Sequence, residues 1–339
     1  MMDSWFRDVL RGLAAPLLLG VVAACIPYPE PVGAGPIPPT VPRPQGPNPL
    51  AGMRLYVDPS GAARRQVEAW KGSRPADAAA IERIASQPHA DWFGDWNPDV
   101  SAAVDQRVSQ IGDAGAVPLM VVYNIPLRDC GQYSAGGAKD TTGYREWIRK
   151  VAIGIKNRTV VVVLEPDALG LLTKCLSPAD QAARLGLLSD AVRVLAANAG
   201  TKVYLDAGNA KWIPAAEMAT RLQAAGVAGA DGFALNVSNY VGTAESIAYG
   251  KQVSALVGGK HFVVDTGRNG NGAAPGAEWC NPDGRAIGHA PTVSTGEPLV
   301  DALLWIKPPG ESDGTCNGGP RAGEWWPEYA LGLARRAAP

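Results

Sequence analysis

The fold can be predicted from one segment, Val160-Val-Val-Val-Leu-Glu-Pro-Asp167, in which an unbroken apolar run leads directly into two acidic residues. Five aliphatic residues without polar alternation are typical of a strand that is buried on both faces. Such strands belong to parallel sheets with helices packed outside. The two acids then lie at the carboxyl end of the strand, which is the catalytic end of βα barrels.

Six further runs of four to six mostly aliphatic residues end in a polar residue in the same way. Helical patterns separate most of them, and strands that alternate with helices form parallel βα units. We therefore predict an α/β fold with seven strands, at residues 54–57, 117–122, 160–164, 202–205, 232–235, 261–264 and 302–306.

The composition excludes several classes of protein. The formal net charge is −1 and there is no lysine or arginine stripe, so we expect no nucleic-acid partner. The chain has three histidines, His89, His261 and His289, and none shows metal-ligand spacing. We therefore expect no metal, no other cofactor and no Ser-His-Asp triad. His261 begins an apolar run, which favours a packed core residue.

The first 25 residues resemble a secretory signal peptide. Arg7 and Arg11 precede an apolar stretch from residue 13 to 24 that is too short to span a bilayer comfortably. Val22-Ala-Ala-Cys25 also resembles a bacterial lipobox, which makes Cys25 a lipidation candidate; the alternative is ordinary cleavage near Ala24. We expect a secreted protein or a cell-surface lipoprotein, attached to a membrane only through this anchor.

A proline-rich linker follows at residues 26–48. Ten prolines lie between Ile26 and Pro49, and such a composition favours polyproline II and a semi-rigid spacer. We expect one folded domain, and a monomer, over residues 49–339.

Four cysteines remain beyond the leader, and an even number in a secreted protein suggests two disulfides with three possible pairings. Cys130 and Cys175 follow the second and third predicted strands, and Cys280 and Cys316 follow the sixth and seventh. Because loops after neighbouring strands are adjacent, this topology favours the pairs 130–175 and 280–316.

Carboxylates are concentrated where the predicted strands end, at Asp129, Glu165, Asp167, Asp206 and Asp313. Like charges close together raise the pKa of at least one member. A protonated acid beside an ionised carboxylate is what glycoside hydrolysis requires. The alternative is that these acids are helix caps or form ion pairs within loops.

Tryptophan is the second indication of a saccharide site. Several of the ten tryptophans fall in predicted loops, among them Trp92, Trp96, Trp212 and Trp279. Flat aromatic rings provide the apolar surface on which sugar rings stack. Core packing is the alternative for each of them.

Several longer motifs together resemble glycoside hydrolase family 6, the inverting cellulases, over about residues 48–337. They include Tyr123-Asn-Ile-Pro-Leu-Arg-Asp-Cys130, Val163-Leu-Glu-Pro-Asp-Ala168, Leu205-Asp-Ala-Gly208, Asn236-Val-Ser-Asn-Tyr240 and Trp305-Ile-Lys-Pro-Pro-Gly-Glu-Ser-Asp-Gly314. The resemblance implies a distorted, seven-stranded TIM-like β/α barrel and metal-free hydrolysis of β-1,4-glucan with inversion.

The resemblance also implies roles for individual residues. Asp167 is similar to the general acid, Asp129 to an assisting acid that positions water, and Asp313 to the candidate base. The expected substrate-binding residues are Trp92, Tyr123, Asp206, Trp212, Asn236, Trp279, Lys307 and Glu311. The sequence departs from the family pattern at Asn209, where histidine is usual, and at Ala135, where serine is frequent.

Short loops favour an open substrate groove. About eleven residues separate Asp313 from Trp325, and the segment 135–143 is also brief. We therefore expect an endoglucanase that acts within β-1,4-glucan chains. The alternatives are an exo-acting cellobiohydrolase of the same family, a non-catalytic saccharide-binding protein and a metal-dependent hydrolase.

The lipobox predicts a mature N-terminus at Cys25 that carries acyl chains. Mass spectrometry of the N-terminal peptide from the native host measures this directly. An unmodified N-terminus that begins after Cys25 would contradict the lipid anchor.

Overall fold

The computed structural model describes residues 42–43 and 46–338. The predicted signal peptide, Cys25 and most of the predicted linker lie outside the described residues. Strands β1–β7 span Asp91–Phe93, Leu119–Val122, Val160–Leu164, Thr201–Asp206, Gly232–Leu235, His261–Asp265 and Val300–Leu304. Helices α1–α8 span Ala62–Trp70, Pro75–Ala85, Val100–Asp113, Thr141–Ile155, Pro178–Ala196, Ala215–Ala224, Thr243–Leu256 and Pro327–Arg336.

The seven strands form one parallel sheet in the order β1 to β7. Each strand pairs with the next in the chain, so every connection runs outside the sheet and all carboxyl ends lie on one rim. The edge strands β1 and β7 are joined through the Ala90 N–H, which donates to the Trp305 carbonyl at 3.1 Å. The result is the α/β, distorted seven-stranded barrel that the sequence predicted.

Both faces of the strands are buried, which explains their unbroken apolar sequences. In β3, Val160, Val162 and Leu164 pack into the large cluster formed with the surrounding helices. Val161 and Val163 point the other way, into a smaller cluster inside the barrel. Each fully buried valine or leucine contributes about 1.5–3 kcal/mol to folding, so this strand has no face that tolerates a polar residue.

The prediction of the first strand was wrong. Residues 54–57 make only an isolated parallel bridge, between Leu55 and Val117, whereas β1 is the later segment Asp91–Phe93. This strand begins with a charged residue, which is satisfied because Arg107 donates to Asp91 at 2.8 Å. At three residues it is too short to show a pattern. The other six predictions overlap the observed strands, and β7 begins two residues earlier than predicted.

Both predicted disulfides are present. Cys130 bonds to Cys175 across the loops that follow β2 and β3, with a Cα–Cα distance of 5.8 Å. Cys280 bonds to Cys316 across the loops that follow β6 and β7, at 6.2 Å. Each bond therefore joins neighbouring loops at the carboxyl ends of the strands.

Removal of the first disulfide with Cys130→Ser and Cys175→Ser should lower the free energy of unfolding by about 2–4 kcal/mol, because the unfolded chain gains a long, unconstrained loop. Chemical denaturation at equilibrium measures the loss. The matched control is the double serine variant at Cys280 and Cys316, which should lose a similar amount. An unchanged stability in both variants would contradict a stabilising role for these bonds.

Candidate active site

A cleft of about 1000 Å³ lies over the carboxyl ends of the strands. Because the sheet is parallel, the residues that follow each strand meet here although they are far apart in sequence. Nine of the predicted site residues line this cleft, namely Trp92, Tyr123, Asp129, Asp167, Trp212, Trp279, Lys307, Glu311 and Asp313. The cleft is therefore the candidate active site.

Asp167 occupies a strained and electrostatically unfavourable position. It follows β3 with a φ of 67°, in the left-handed region that non-glycine residues rarely adopt. Burial raises the pKa of its carboxyl well above the usual range, and the nearby charges of Asp206, Asp129 and Asp313 raise it further. A carboxyl in this environment keeps its proton to higher pH than an ordinary aspartate and can donate it within the cleft.

Asp206 lies beneath Asp167 rather than in the cleft wall. Its Oδ2 accepts hydrogen bonds from the backbone N–H groups of Asp167 at 2.9 Å and Gly208 at 3.1 Å. Burial raises the pKa of Asp206 to about 7, while these two donors lower it. Donors that stabilise the ionised form make Asp206 the first of the pair to lose its proton. Of the two carboxyl groups, Asp167 is therefore the one that keeps its proton to the higher pH.

Asp129 sits in a loop with an unusual backbone. Asp129 and Cys130 have φ values of 54° and 49°, and the Asp129 Oδ2 accepts a hydrogen bond from the Ser134 N–H at 2.8 Å. Burial raises the pKa of Asp129, whereas Arg128 and Lys174 lower it. The disulfide at Cys130 holds this loop beside the loop that carries Asp167.

The Arg128 guanidinium holds the rest of this loop. It donates to Asp95 at 2.9 Å, to the Tyr123 carbonyl at 2.8 Å and to the Ser134 carbonyl at 2.7 Å. It also donates to the Ala135 carbonyl at 3.1 Å. The substitution at Ala135 is thus compatible with the loop, because the contact uses a backbone carbonyl and not a side chain.

Asp313 is held in a dense set of donors. Its Oδ2 accepts from the Tyr240 hydroxyl at 3.0 Å, from Arg268 Nη1 at 2.9 Å and from the Asn281 N–H at 3.0 Å. Its Oδ1 lies 2.9 Å from Arg268 Nη2. The buried Arg268 guanidinium therefore contacts both oxygens of the Asp313 side chain. Oδ2 thus accepts three hydrogen bonds, whereas Oδ1 has a single ionic partner among the described contacts.

Aromatic and charged residues form the walls of the cleft. The rings of Trp92 and Tyr123 pack edge to face with centroids 5.4 Å apart, and Trp92 donates its indole N–H to the Ile306 carbonyl at 2.9 Å. The Lys307 ammonium lies 5.6 Å from the Trp92 ring and 3.2 Å from the Glu311 carboxylate. These contacts fix the rings and leave polar groups beside them, as recognition of a sugar requires.

Asn236, predicted as a substrate-binding residue, does not line the cleft. Its side chain is fully buried, and its amide donates to the carbonyls of Val241 at 3.1 Å and Asp265 at 2.9 Å. Its amide oxygen accepts from the Val241 N–H. These contacts make Asn236 a structural residue that fixes the turn after β5.

The sequence assigned no role to several residues that shape the cleft. Tyr133 lines it with a half-exposed ring, beside Trp96, which was expected there as a loop tryptophan. Arg268, Tyr240 and Asn281 donate hydrogen bonds to Asp313. Tyr240 lies within a quoted family motif, but only the folded chain brings Arg268 and Asn281 to the same carboxylate. Among residues 42–43 and 46–338, no group of three or more acidic, histidine or cysteine side chains is arranged to hold a metal ion.

The sequence model of the glycosyl hydrolases family 6 matches residues 50–337. The chain belongs to this family. Endoglucanase A of Thermobispora bispora is 48% identical over 290 residues, which are 84% of this chain and 62% of that protein. Endoglucanase A of Cellulomonas fimi is 47% identical over 294 residues, or 86% and 62%. The chain thus spans 62% of the length of each of these two relatives.

Solved structures agree with this assignment. The endoglucanase Cel6 from Mycobacterium tuberculosis, in complex with methyl-cellobiosyl-4-deoxy-4-thio-β-D-cellobioside, has a TM-score of 0.80 at 43% identity, and the match covers 85% of this chain and 99% of that one. The catalytic core of the cellobiohydrolase Cel6A from Chaetomium thermophilum has a TM-score of 0.75 at 27% identity, with coverages of 86% and 99%. The family and fold predicted from the motifs are confirmed.

The raised pKa of Asp167 predicts a pH-dependent stability difference for Asp167→Asn. At a pH below the unfolded-state pKa of about 3.9, the carboxyl is protonated in both states and contributes no difference. As the pH rises, the unfolded chain ionises first and the native state is destabilised until the native pKa is passed. Asp167→Asn removes this cost, so its melting temperature relative to the native protein should increase as the pH rises from about 4 towards neutrality.

Thermal melting across this pH range measures the effect. Trp96→Phe is the control, because it alters the same cleft without changing a titratable group. A melting-temperature difference for Asp167→Asn that is constant with pH would show that the Asp167 carboxyl is not held protonated.

Proposed function

We propose that the protein is an endo-β-1,4-glucanase that hydrolyses internal β-1,4-glucosidic bonds with inversion. The observation that carries this proposal is a cleft in which Asp167 lies among other acids and aromatic rings, where burial and the neighbouring acids raise the pKa of its carboxyl well above the usual range. Support for the substrate comes from relatives named endoglucanases and from the cello-oligosaccharide analogue bound to a structural neighbour.

In the proposed reaction, Asp167 gives its proton to the glycosidic oxygen as the bond to the anomeric carbon breaks. A water molecule attacks the opposite face of the sugar and loses its proton to a carboxylate, so the configuration inverts. Asp313 is the candidate base, because its Oδ1 has only one partner, Arg268, among the described contacts. Asp129 assists by keeping a negative charge near Asp167 and by orienting the water.

Internal cleavage requires a cleft that a chain can enter from the side. The segment after Asp313 is short and folds back at once, with an antiparallel bridge between Glu311 and Trp325. A short, pinned loop leaves the cleft open to an internal segment of glucan. We further propose that the enzyme acts as a secreted or cell-surface monomer, with Cys25 as the attachment point.

The activity is tested by release of reducing ends from carboxymethyl-cellulose, with and without a chelator. We expect release in both conditions, accompanied by a rapid fall in viscosity for each bond broken. Cellobiose as the initial product with little loss of viscosity would indicate an exo-acting cellobiohydrolase. Loss of activity in the chelator would indicate a metal-dependent hydrolase, and no release would indicate a saccharide-binding protein.

The role of Asp167 is tested with Asp167→Ala on two substrates. On cellulose the leaving oxygen must be protonated, so kcat should fall by about 10²–10⁴-fold. On a cello-oligosaccharide with an activated aryl or fluoride leaving group, the loss should be much smaller, because that group departs without a proton. Binding of cello-oligosaccharides should persist.

Asp283→Asn is the control for this experiment, because the side chain of Asp283 is an exposed acid outside the cleft. It should retain full activity on both substrates. If Asp167→Ala loses equal activity on both, the proton donor is a different residue.

A further inference from the structure

Arg184 is a buried arginine whose contacts are made mainly with two catalytic loops. It lies on α5, behind the cleft, and only 3% of the residue is exposed. Burial lowers the pKa of its guanidinium, and the nearby Glu165 carboxylate opposes that shift. Burying a guanidinium is costly unless its N–H groups find acceptors, so the identity of the acceptors indicates what the residue does.

The acceptors belong to two different loops. Arg184 Nη2 donates to the carbonyls of Pro126 at 2.7 Å and Leu127 at 3.0 Å, two residues before Asp129. Arg184 Nη1 lies 3.3 Å from the carbonyl of Ala168, the residue after Asp167. One rigid, planar group therefore contacts the backbone one residue after Asp167 and two residues before Asp129.

Both loops contain residues in a left-handed backbone conformation, which is unfavourable for residues other than glycine. Leu127 and Asp129 have φ values of 56° and 54°, and Glu165 and Asp167 have values of 50° and 67°. Left-handed non-glycine residues persist only where their surroundings over-determine them. The disulfide Cys130–Cys175 joins the same two loops, but it lies on the far side of Asp129 from Leu127.

Glu165 also connects the two segments that carry Asp167 and Asp129. Its Oε2 accepts from the N–H groups of Asn124 at 3.0 Å and Ile125 at 3.0 Å, so it ties the end of β3 to the end of β2. Arg184 continues this connection one step further along both loops. Glu165 and Arg184 thus both connect the segment after β3 to the segment after β2.

We propose that Arg184 is a positioning residue that sets the placement of Asp129 relative to Asp167 by cross-linking the backbones of their two loops. This inference rests on the proposed function of these acids. Misplacement of a reacting group by about 1 Å can cost about 10²-fold in rate. The contribution of Arg184 therefore appears in kcat rather than in substrate affinity.

The chain provides a matched control in Arg221, which lies on α6 and is 6% exposed. Its guanidinium also donates to backbone carbonyls of the Asp167 loop, those of Leu169 and Gly170. It makes no contact with the Asp129 loop among its described hydrogen bonds. Arg221→Lys thus removes an equally buried guanidinium without breaking a link between the two loops.

The test is a comparison of Arg184→Lys with Arg221→Lys, each alone and combined with Asp129→Asn, on soluble β-1,4-glucan. Lysine keeps the charge but lacks the planar fork that reaches both loops. We expect Arg184→Lys to lower kcat by about 10–100-fold and to change KM by less than about 3-fold. Arg221→Lys should change kcat by less than about 3-fold. If Arg184→Lys does not fold, Arg184→Gln, which adds no buried charge, takes its place.

The double variants separate positioning from general stability. When Asp129 is already neutral and its placement matters less, Arg184→Lys should cost less than about 3-fold further, whereas unrelated effects would multiply. The basic limb of the pH profile should also move to lower pH in Arg184→Lys, because Asp129 no longer raises the pKa of Asp167 as strongly. Equal losses in both arginine variants, or multiplicative losses with Asp129→Asn, would overturn the proposal.

A measurement that does not depend on catalysis tests the role of Arg184 separately from the proposed function. The melting-temperature difference between a protein and its Asp167→Asn variant, followed against pH, isolates the carboxyl of Asp167. The pH dependence of this difference should be smaller in the Arg184→Lys background and unchanged in the Arg221→Lys background. An inactive native protein would refute the proposed function alone. An unaltered pH dependence in Arg184→Lys would refute the role of Arg184 alone.

Discussion

The carboxyl groups of Asp167 and Asp206 lie close together where β3 and β4 end, and burial raises the pKa of both. Like charges in a desolvated site separate the two pKa values, and the hydrogen bonds decide which group ionises first. Two backbone N–H groups donate to Asp206, whereas Asp167 faces the cleft and three other acids. The proton is therefore held at the position where a leaving oxygen would need it.

The rest of the structure keeps this unfavourable arrangement in place. The barrel of apolar strands fixes the strand ends, and buried arginines then satisfy the strained loops beyond them. Arg128 binds four acceptors around the Asp129 loop, and Arg268 neutralises Asp313. These contacts offset the unfavourable energy of placing the acids close together. Proteins retain such unfavourable arrangements at functional sites.

The strands and the disulfide pairing could largely be predicted from the sequence, because they depend on local patterns and on the order of the strands. The buried strands β2 to β7 are continuous apolar runs, and the disulfides follow from which loops are neighbours. The error at β1 has the same origin, since Asp91–Phe93 carries no apolar run. Its strand character comes from pairing with β2 and from the ion pair with Arg107.

The supporting residues could not be predicted in this way. Arg184, Arg268 and Asn281 lie far in sequence from the acids they support, and nothing local distinguishes them from surface residues. Asn236 shows the converse, because a polar residue at the end of a strand was predicted to bind substrate and instead satisfies backbone groups of its own turn. The use of a buried polar side chain depends on which partners the fold brings to it.

The most direct measurement of this account is the protonation state of Asp167 itself. Carbon-13 NMR of protein labelled at the aspartate carboxyl, with Asp167→Asn to assign the signal, would follow its titration. We expect the Asp167 carboxyl to titrate at a pH well above that of an ordinary aspartate, because burial and the neighbouring acids raise its pKa. Titration in the range of an ordinary aspartate, at about pH 4, would contradict a proton held at this position.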